Sequence, residues 1–247
     1  MPSSMASPWH TQAQGSDNTM LTPTSSWQTT YPGAAVGVLT MHGVQNPEEC
    51  VALDAPRTDL EQRLRSRFAG GGRDAIKALP VVSAYAAYYK QFKKTYHVQH
   101  QLESVALKGR SIARAAALVE AMFMAELEHL LLTAGHDLAF VTPPVRVAVA
   151  DGSESYTRIN GEDQVLKPGD MYIADASGVL SSIIYGPDAR TRIRAETTDV
   201  LFTVYAPPGI EPAAVYRHLE TMGRYVALVS PAAYIDVQDV TISVPEC

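Results

Sequence analysis

Titratable side chains that could perform acid–base chemistry gather in two short segments of the chain. His136 and Asp137 are adjacent, and Asp175 lies two residues before Ser177 in the sequence Asp-Ala-Ser-Gly. His136 is the most interesting of the seven histidines, because an imidazole changes its charge near neutral pH and this one directly precedes an aspartate. Ordinary structural roles are the alternative, because His136 fits a helix end and Asp175 and Ser177 fit a turn.

Hydroxyl groups accompany these residues in the segments that follow. They belong to Ser181, Ser182, Thr197 and Thr198. Such groups could hold a ligand by hydrogen bonds, but hydroxyls are also common at strand edges. The chain has no G-x-S-x-G, HExxH or Rossmann pattern, and its two cysteines, Cys50 and Cys247, stand far apart in sequence. We therefore expect neither a metal site nor a bound cofactor.

Basic residues form a run in which three arginines alternate with other residues. On a β-strand this spacing places Arg190, Arg192 and Arg194 on one side, either as a solvated face or as a surface that contacts phosphates. Lys108 and Arg110, at the end of a short helix predicted over 100–110, are further candidates for RNA contact. The net charge of −6 argues against a protein that coats DNA, although one local cluster can still grip a phosphate backbone.

The elements that position these residues are predicted to be a run of strands between helices. A buried strand is predicted over 34–44 and a helix start at Asn46-Pro47, followed by a helix over 58–69. The helix after Pro80 has an aromatic face and ends in three lysines, Lys90, Lys93 and Lys94. Their charges could either interact with the helix dipole or contact a nucleic acid. Ser111 is expected to cap a long helix over 112–133, and residues 135–138 are expected to terminate this helix.

The second half of the chain has the pattern of antiparallel strands. A hairpin signal at Asp151-Gly152 joins the strands VRVAVA and SYTRIN, and a second signal follows at Asn160-Gly161. Segment 164–207 contains three more strands with turns between them. A last helix begins at Pro212. Helices, then strands, then a helix predict one α+β domain, with a mostly antiparallel or mixed sheet packed against helices.

Domain boundaries and surroundings follow from composition. Residues 1–30 are rich in Ser, Thr, Gln and Pro and are predicted to be a disordered tail, with the domain over 31–235 and a C-terminal extension over 236–247 that could add an edge strand. No secretory signal is visible, and the apolar segment 112–132 contains four charged residues, which argues against a membrane span. Together with the cysteine usage, this predicts a cytoplasmic protein.

Several collinear motifs resemble a known family. They are YPGAAVGVLTMHGVQN, HQLESVALKGRSIARAAALVEAMF, TAGHDL, YTRINGEDQVLKPGDMYIADASGVLSSIIYG and TRIRAETTDVLFTVYAP. In this order they resemble the stand-alone B3/B4 proteins, which are related to the editing domain of the phenylalanyl-tRNA synthetase β chain. The resemblance extends from about residue 31 to 229. It implies an α+β domain whose pocket, between sheet and helices, receives the 3′ end of a mischarged tRNA and hydrolyses the amino-acid ester.

The resemblance also implies a set of site residues. A pocket wall is expected from 136–137, 175–186 and 197–203. The hydroxyls and backbone N–H groups around 175–186 would stabilise a developing oxyanion. The expected catalytic group is His136, Asp137, Asp175, Ser177, Ser181, Ser182, Gly186, Thr198 and Thr203. The expected RNA-binding group is Lys108, Arg110, Arg190, Arg192 and Arg194. The implied partner is the acceptor end of a tRNA, with no DNA and no membrane.

Two departures from the family pattern bear on the activity. The family's N-x-x-V-D stretch corresponds to 115–120 here, where the Asn is absent and Glu120 replaces Asp. In the pattern T-x-N-x-L-x-E, Thr203 stands where the family has a Glu that reads a tyrosine hydroxyl, so tyrosine specificity is not carried over. Three functions remain open: a trans-acting deacylase, a non-catalytic tRNA-binding module, or a protein that binds a free amino-acid derivative.

Overall fold

The computed structural model describes residues 20–245 of the chain, which contain both helices and strands. The helices are α1 (Ser25–Thr30), α2 (Asp54–Phe68), α3 (Gly72–Lys77), α4 (Pro80–Gln91), α5 (His97–Ala106), α6 (Ala117–His129) and α7 (Pro212–Val229). The strands are β1 (Leu21–Pro23), β2 (Ala35–His42), β3 (Leu132–Asp137), β4 (Val145–Val149), β5 (Ser155–Thr157), β6 (Asp163–Val165), β7 (Met171–Asp175), β8 (Gly178–Ser182), β9 (Gly186–Pro187), β10 (Asp199–Ala206) and β11 (Tyr234–Ile242). The predicted α+β class is confirmed.

A four-stranded antiparallel sheet forms the centre of the fold, in the order β11-β2-β10-β3. The strands β2 and β10 are nearly continuous apolar runs, as expected for strands covered on both faces. One face packs on α7, so closely that a Cβ on Gly37 would lie 2.6 Å from a methyl of Val215. The other face meets the second sheet, since the Tyr205 hydroxyl lies 2.7 Å from Ser181 Oγ on β8.

The second sheet has five strands in the order β1-β4-β7-β8-β9. Its β1–β4 pair is parallel and its other pairs are antiparallel, so the sheet is mixed, as predicted. The hairpin β7–β8 turns at the predicted 175–178. The predicted strand SYTRIN pairs with β6 in a separate hairpin rather than with β4.

Both ends of the described chain belong to the fold, which corrects the predicted boundaries. Residues 21–30 form β1 and α1, and Trp27 is fully buried, so the expected disordered tail is wrong for these residues. The sequence does not reveal the strand Leu21–Pro23, because only three residues pair with β4 and such a short strand has no recognisable pattern. The boundary expected at 235–236 falls inside β11, which pairs along the whole of β2. The rest of the predicted tail, 1–19, lies outside the described residues.

The region around α6 differs most from the sequence prediction. Neither a helix at Asn46-Pro47 nor a long helix from Ser111 forms. The Asn46 side chain accepts a hydrogen bond from Leu118 N at 2.9 Å and so caps α6 from a distant part of the chain. Leu130 then takes a left-handed conformation (φ 61°) and ends the helix. Residues 132–137 continue as β3, so His136 and Asp137 lie on a strand and not at a helix end.

Candidate functional site

His136 lies on β3 between the two sheets, completely buried. The Thr191 hydroxyl donates to Asp188, so its oxygen accepts from the His136 Nδ1–H group at 2.8 Å. Nε2 then carries a lone pair, and it has no partner among the described residues. Burial, aided by the nearby Arg190 guanidinium, lowers the pKa of His136 to about 3. The ring is therefore neutral at pH 7, with one free acceptor.

Asp137 does not form a pair with His136, although the two are adjacent in sequence. Successive side chains of a strand point to opposite faces, and Asp137 points away from the second sheet. Its Oδ1 accepts from Ala139 N at 3.0 Å and its Oδ2 from the Thr197 hydroxyl at 2.7 Å. This carboxylate fixes two turns of the chain. The imidazole and the carboxylate thus lie in separate environments, on opposite faces of β3.

Asp175 organises the β7–β8 turn rather than a reaction centre. Its two oxygens accept backbone N–H groups of Thr142, Ser177 and Gly178 at 2.8–3.0 Å. The Arg190 guanidinium adds two bonds at 3.0 Å. Burial alone would raise the pKa of Asp175, but the Thr142 N–H and Arg190 outweigh it and hold the pKa below its usual value. A carboxylate with all its acceptor positions in use is a structural anion.

The predicted hydroxyls are dispersed, and most already have structural partners. Ser181 is paired with Tyr205, and Ser182 Oγ accepts from Tyr185 N at 3.0 Å. The exposed Thr198 donates to Asp199 at 2.8 Å, and Ser177 Oγ lies 3.1 Å from the Thr142 hydroxyl.

Thr203 and Gly186 differ from these hydroxyls. The Gly186 carbonyl accepts from the Tyr156 hydroxyl at 2.7 Å, so this residue already has a structural partner. Thr203 is fully buried, and its Oγ1 has no partner in the described part of the chain. Thr203 lies on β10 opposite Ala134, so it shares the intersheet face with His136. Of the predicted catalytic group, the fold brings together only these two residues with unused polar atoms, His136 Nε2 and Thr203 Oγ1.

The three predicted RNA-binding arginines do not lie on one side of a strand. Residues 190–194 form an irregular segment with one isolated bridge, between Arg192 and His136. Arg190 is bound to Asp175 and to the Phe140 carbonyl at 2.6 Å. Arg194 lies 4.2 Å above the Phe140 ring and donates to two carbonyls of its own segment. The alternation of arginines in the sequence therefore does not predict a common strand face, because side-chain contacts with Asp175 and Phe140 determine the conformation of this segment.

Lys108 and Arg110 lie in the connection between α5 and α6. Arg110 lines a cavity of about 370 Å³ between these helices, together with two imidazoles and the side chains of Phe123 and Leu127. Lys108 is exposed. A second cavity, of about 440 Å³, lies at the end of α4 and is bordered by Lys93 and Lys167. The turn sequence Lys-Pro-Gly-Asp does not predict that Lys167 lies beside the lysines at the end of α4.

No cluster of three or more His, Cys, Asp or Glu side chains suited to a metal ion occurs within residues 20–245. In the same residues, none of the helices is long and apolar enough to cross a membrane.

Comparison with known proteins identifies the family. The B3/4 domain model matches residues 82–225, more than half of the chain. This protein belongs to the B3/4 domain family, and the resemblance inferred from the sequence is confirmed.

Among solved structures, an N-terminal fragment of the phenylalanyl-tRNA synthetase β-subunit from Pyrococcus horikoshii matches with a TM-score of 0.46 and 12% identity. The alignment covers 90% of this chain and 53% of that chain, so the protein spans about half the length of this structure. No curated protein gives a significant match.

Proposed function

We propose that the protein binds tRNA at its acceptor end. The observation that carries this proposal is membership of the B3/4 domain family over residues 82–225, which include α5, α6, β3 and β10. The motifs of the sequence, collinear with those of a tRNA-editing domain, support the same partner. The hydrogen-bonded state of Asp137, Asp175 and Ser181 favours recognition without a side-chain nucleophile, because each of these groups already has a partner within the fold.

A second candidate function, deacylation in trans, is favoured by one specific observation. His136 Nε2 and Thr203 Oγ1 have no partner within residues 20–245 and lie on the same intersheet face. An aminoacyl ester is already activated, so a water molecule held by such groups suffices as the nucleophile if the ester is positioned beside it. Both side chains are fully buried, so this activity requires segment 186–194 to move when tRNA binds.

Parallel measurements of binding and hydrolysis test the two functions. A panel of mischarged tRNAs is incubated with the wild-type protein while retention of tRNA and release of the amino acid are followed. Binding without release supports the first function alone. Release above the uncatalysed rate supports the second, provided that His136→Phe and Thr203→Val reduce it and the matched control Thr198→Val does not. If the protein binds none of the tRNAs, the proposed function is wrong.

A further inference from the structure

Four lysines lie near the C-terminal end of α4. The helix closes through hydrogen bonds from Lys93 N to Lys90 O and from Lys94 N to Tyr89 O, both at 3.1 Å. Lys93 has a left-handed backbone (φ 57°), which turns the chain sharply. From the distant turn before β7, Lys167 Nζ reaches the Phe92 carbonyl at 3.3 Å. We call this group the lysine site, defined as Lys90, Lys93, Lys94 and Lys167.

The lysine site borders the cavity of about 440 Å³, whose lining is Gln91, Phe92, Lys93, Lys167, Pro168 and Gly169. The frame behind the cavity is held by buried hydrogen bonds. Tyr31 donates to the Gly169 carbonyl at 2.5 Å, and Tyr88 donates to Asp170 at 2.9 Å and accepts from Met171 N at 2.6 Å. The backbone that carries Lys167 is therefore fixed before any ligand arrives, which reduces the entropy lost on binding.

The charges of the lysine site are free for a partner. Among the described residues, none of its four ammonium groups lies within 4 Å of a carboxylate, whereas Arg190 is in contact with Asp175 at 3.0 Å. The site holds four of the six lysines of an acidic chain. The helix dipole favours positive charge at the C-terminal end of α4, but it does not occupy the hydrogen-bond donors of the lysine ammonium groups. Lys167 employs one of its three donors on Phe92 and keeps two.

An aromatic surface adjoins the charges on one side. Lys94 Nζ lies 5.9 Å from the centre of the Tyr185 ring, which is partly exposed. Ammonium groups beside an accessible ring are the combination that binds RNA, because phosphates pair with the cations while a base stacks on the ring. On the far side of Pro168, an acidic turn containing Asp151 and Glu154 forms the boundary of the site. Gly152 of this turn packs against the ring of Pro168.

We propose that the lysine site contacts the phosphodiester backbone of the RNA that this protein binds. The inference rests on the proposed function, since it names the surface through which the tRNA is held. Lys93 and Lys94 contact the phosphates, Lys167 closes the cavity, and Tyr185 offers its face to an unpaired base.

The test compares tRNA affinity over a range of salt concentrations for three charge variants. The double variant Lys93→Gln/Lys94→Gln removes two charges from the site. The matched control Lys77→Gln/Arg217→Gln removes two exposed charges from α3 and α7. Lys93→Arg/Lys94→Arg keeps the charge. All substituted side chains are exposed, so circular dichroism is expected to show unchanged folding.

The glutamine pair is expected to lower affinity roughly tenfold per lost phosphate contact near 0.1 M salt and to flatten the salt slope by about 0.7–0.9 per contact. The arginine pair and the control are expected to bind like the wild type. Unchanged affinity of the glutamine pair, or an equal loss in the control, overturns the lysine site while the proposed function stands. Absence of wild-type tRNA binding overturns both, and retention on anionic lipid vesicles in that case assigns the surface to a membrane instead.

Discussion

Glu126 makes the stability of this protein depend on pH in a direction opposite to that of most carboxylates. It lies on α6 with 3% of its surface exposed, and its Oε1 accepts from Thr133 N at 2.8 Å. Burial raises the pKa of Glu126 from 4.5 to about 8, against the smaller effect of the Thr133 N–H. The folded protein therefore holds a proton at neutral pH that the unfolded chain releases.

The sign and size of the effect follow from this difference. Between pH 4.5 and about 8, the folded state binds more protons than the unfolded state, so the free energy of unfolding falls as the pH rises. Each pH unit costs about 1.4 kcal/mol, which gives about 3 kcal/mol at pH 7. Glutamine does not titrate, and its amide oxygen can still accept from Thr133 N. Glu126→Gln is therefore expected to be about 3 kcal/mol more stable than the wild type at pH 7 and nearly equal to it at pH 4.5.

Denaturant unfolding at several pH values between 4.5 and 7.5 measures this difference. Asp170, whose pKa burial raises to about 7, adds a dependence of the same sign to both proteins and cancels in the comparison. Glu128→Gln on the same helix is the control of opposite sign, because Tyr225 and Arg63 overcome burial and lower the pKa of Glu128. A stability difference for Glu126→Gln that is constant over this range, or negative at pH 7, would refute the reasoning.

Two further predictions concern the parts of the fold that the sequence did not reveal. Trp27→Ala is expected to cost about 3–5 kcal/mol in denaturant unfolding, because the ring is fully buried; a loss below about 1 kcal/mol would place residues 21–30 outside the cooperative fold. Asn46→Ala removes both the cap on Leu118 N and the donor to the Arg194 carbonyl, each at 2.9 Å, and is expected to cost about 1–3 kcal/mol. Equal stability of Asn46→Ala and the wild type would contradict the role given to this cap.

Local patterns in the sequence predict the secondary structure correctly wherever neighbouring residues determine it. The apolar runs of β2 and β10 predict buried strands, and Pro80 and Pro212 mark the starts of α4 and α7. The turn at 175–178 follows from Asp175, whose side chain accepts from Ser177 N and Gly178 N. These signals act over a few residues, so a single sequence contains them.

The failures lie where a distant contact overrides local propensity. The alanine-rich stretch before α6 has the composition of a helix. However, Glu61 accepts from Ile112 N at 2.8 Å and the Pro47 carbonyl accepts from Ala117 N at 2.9 Å, and residues 112–116 are not helical. His136 lies on the intersheet face, whereas its neighbour Asp137 faces the other side of a strand that the sequence pattern predicts to be a helix end. The lysine site joins residues more than seventy positions apart, and the sequence held no signal for that meeting.

The measurement that tests the central claim most directly is competition between an intact tRNA and the same tRNA without its 3′-terminal CCA. The acceptor-end proposal predicts salt-dependent binding of the intact tRNA and a loss of at least about tenfold in affinity on truncation. Equal affinities for the two RNAs, or no binding of either, would contradict it.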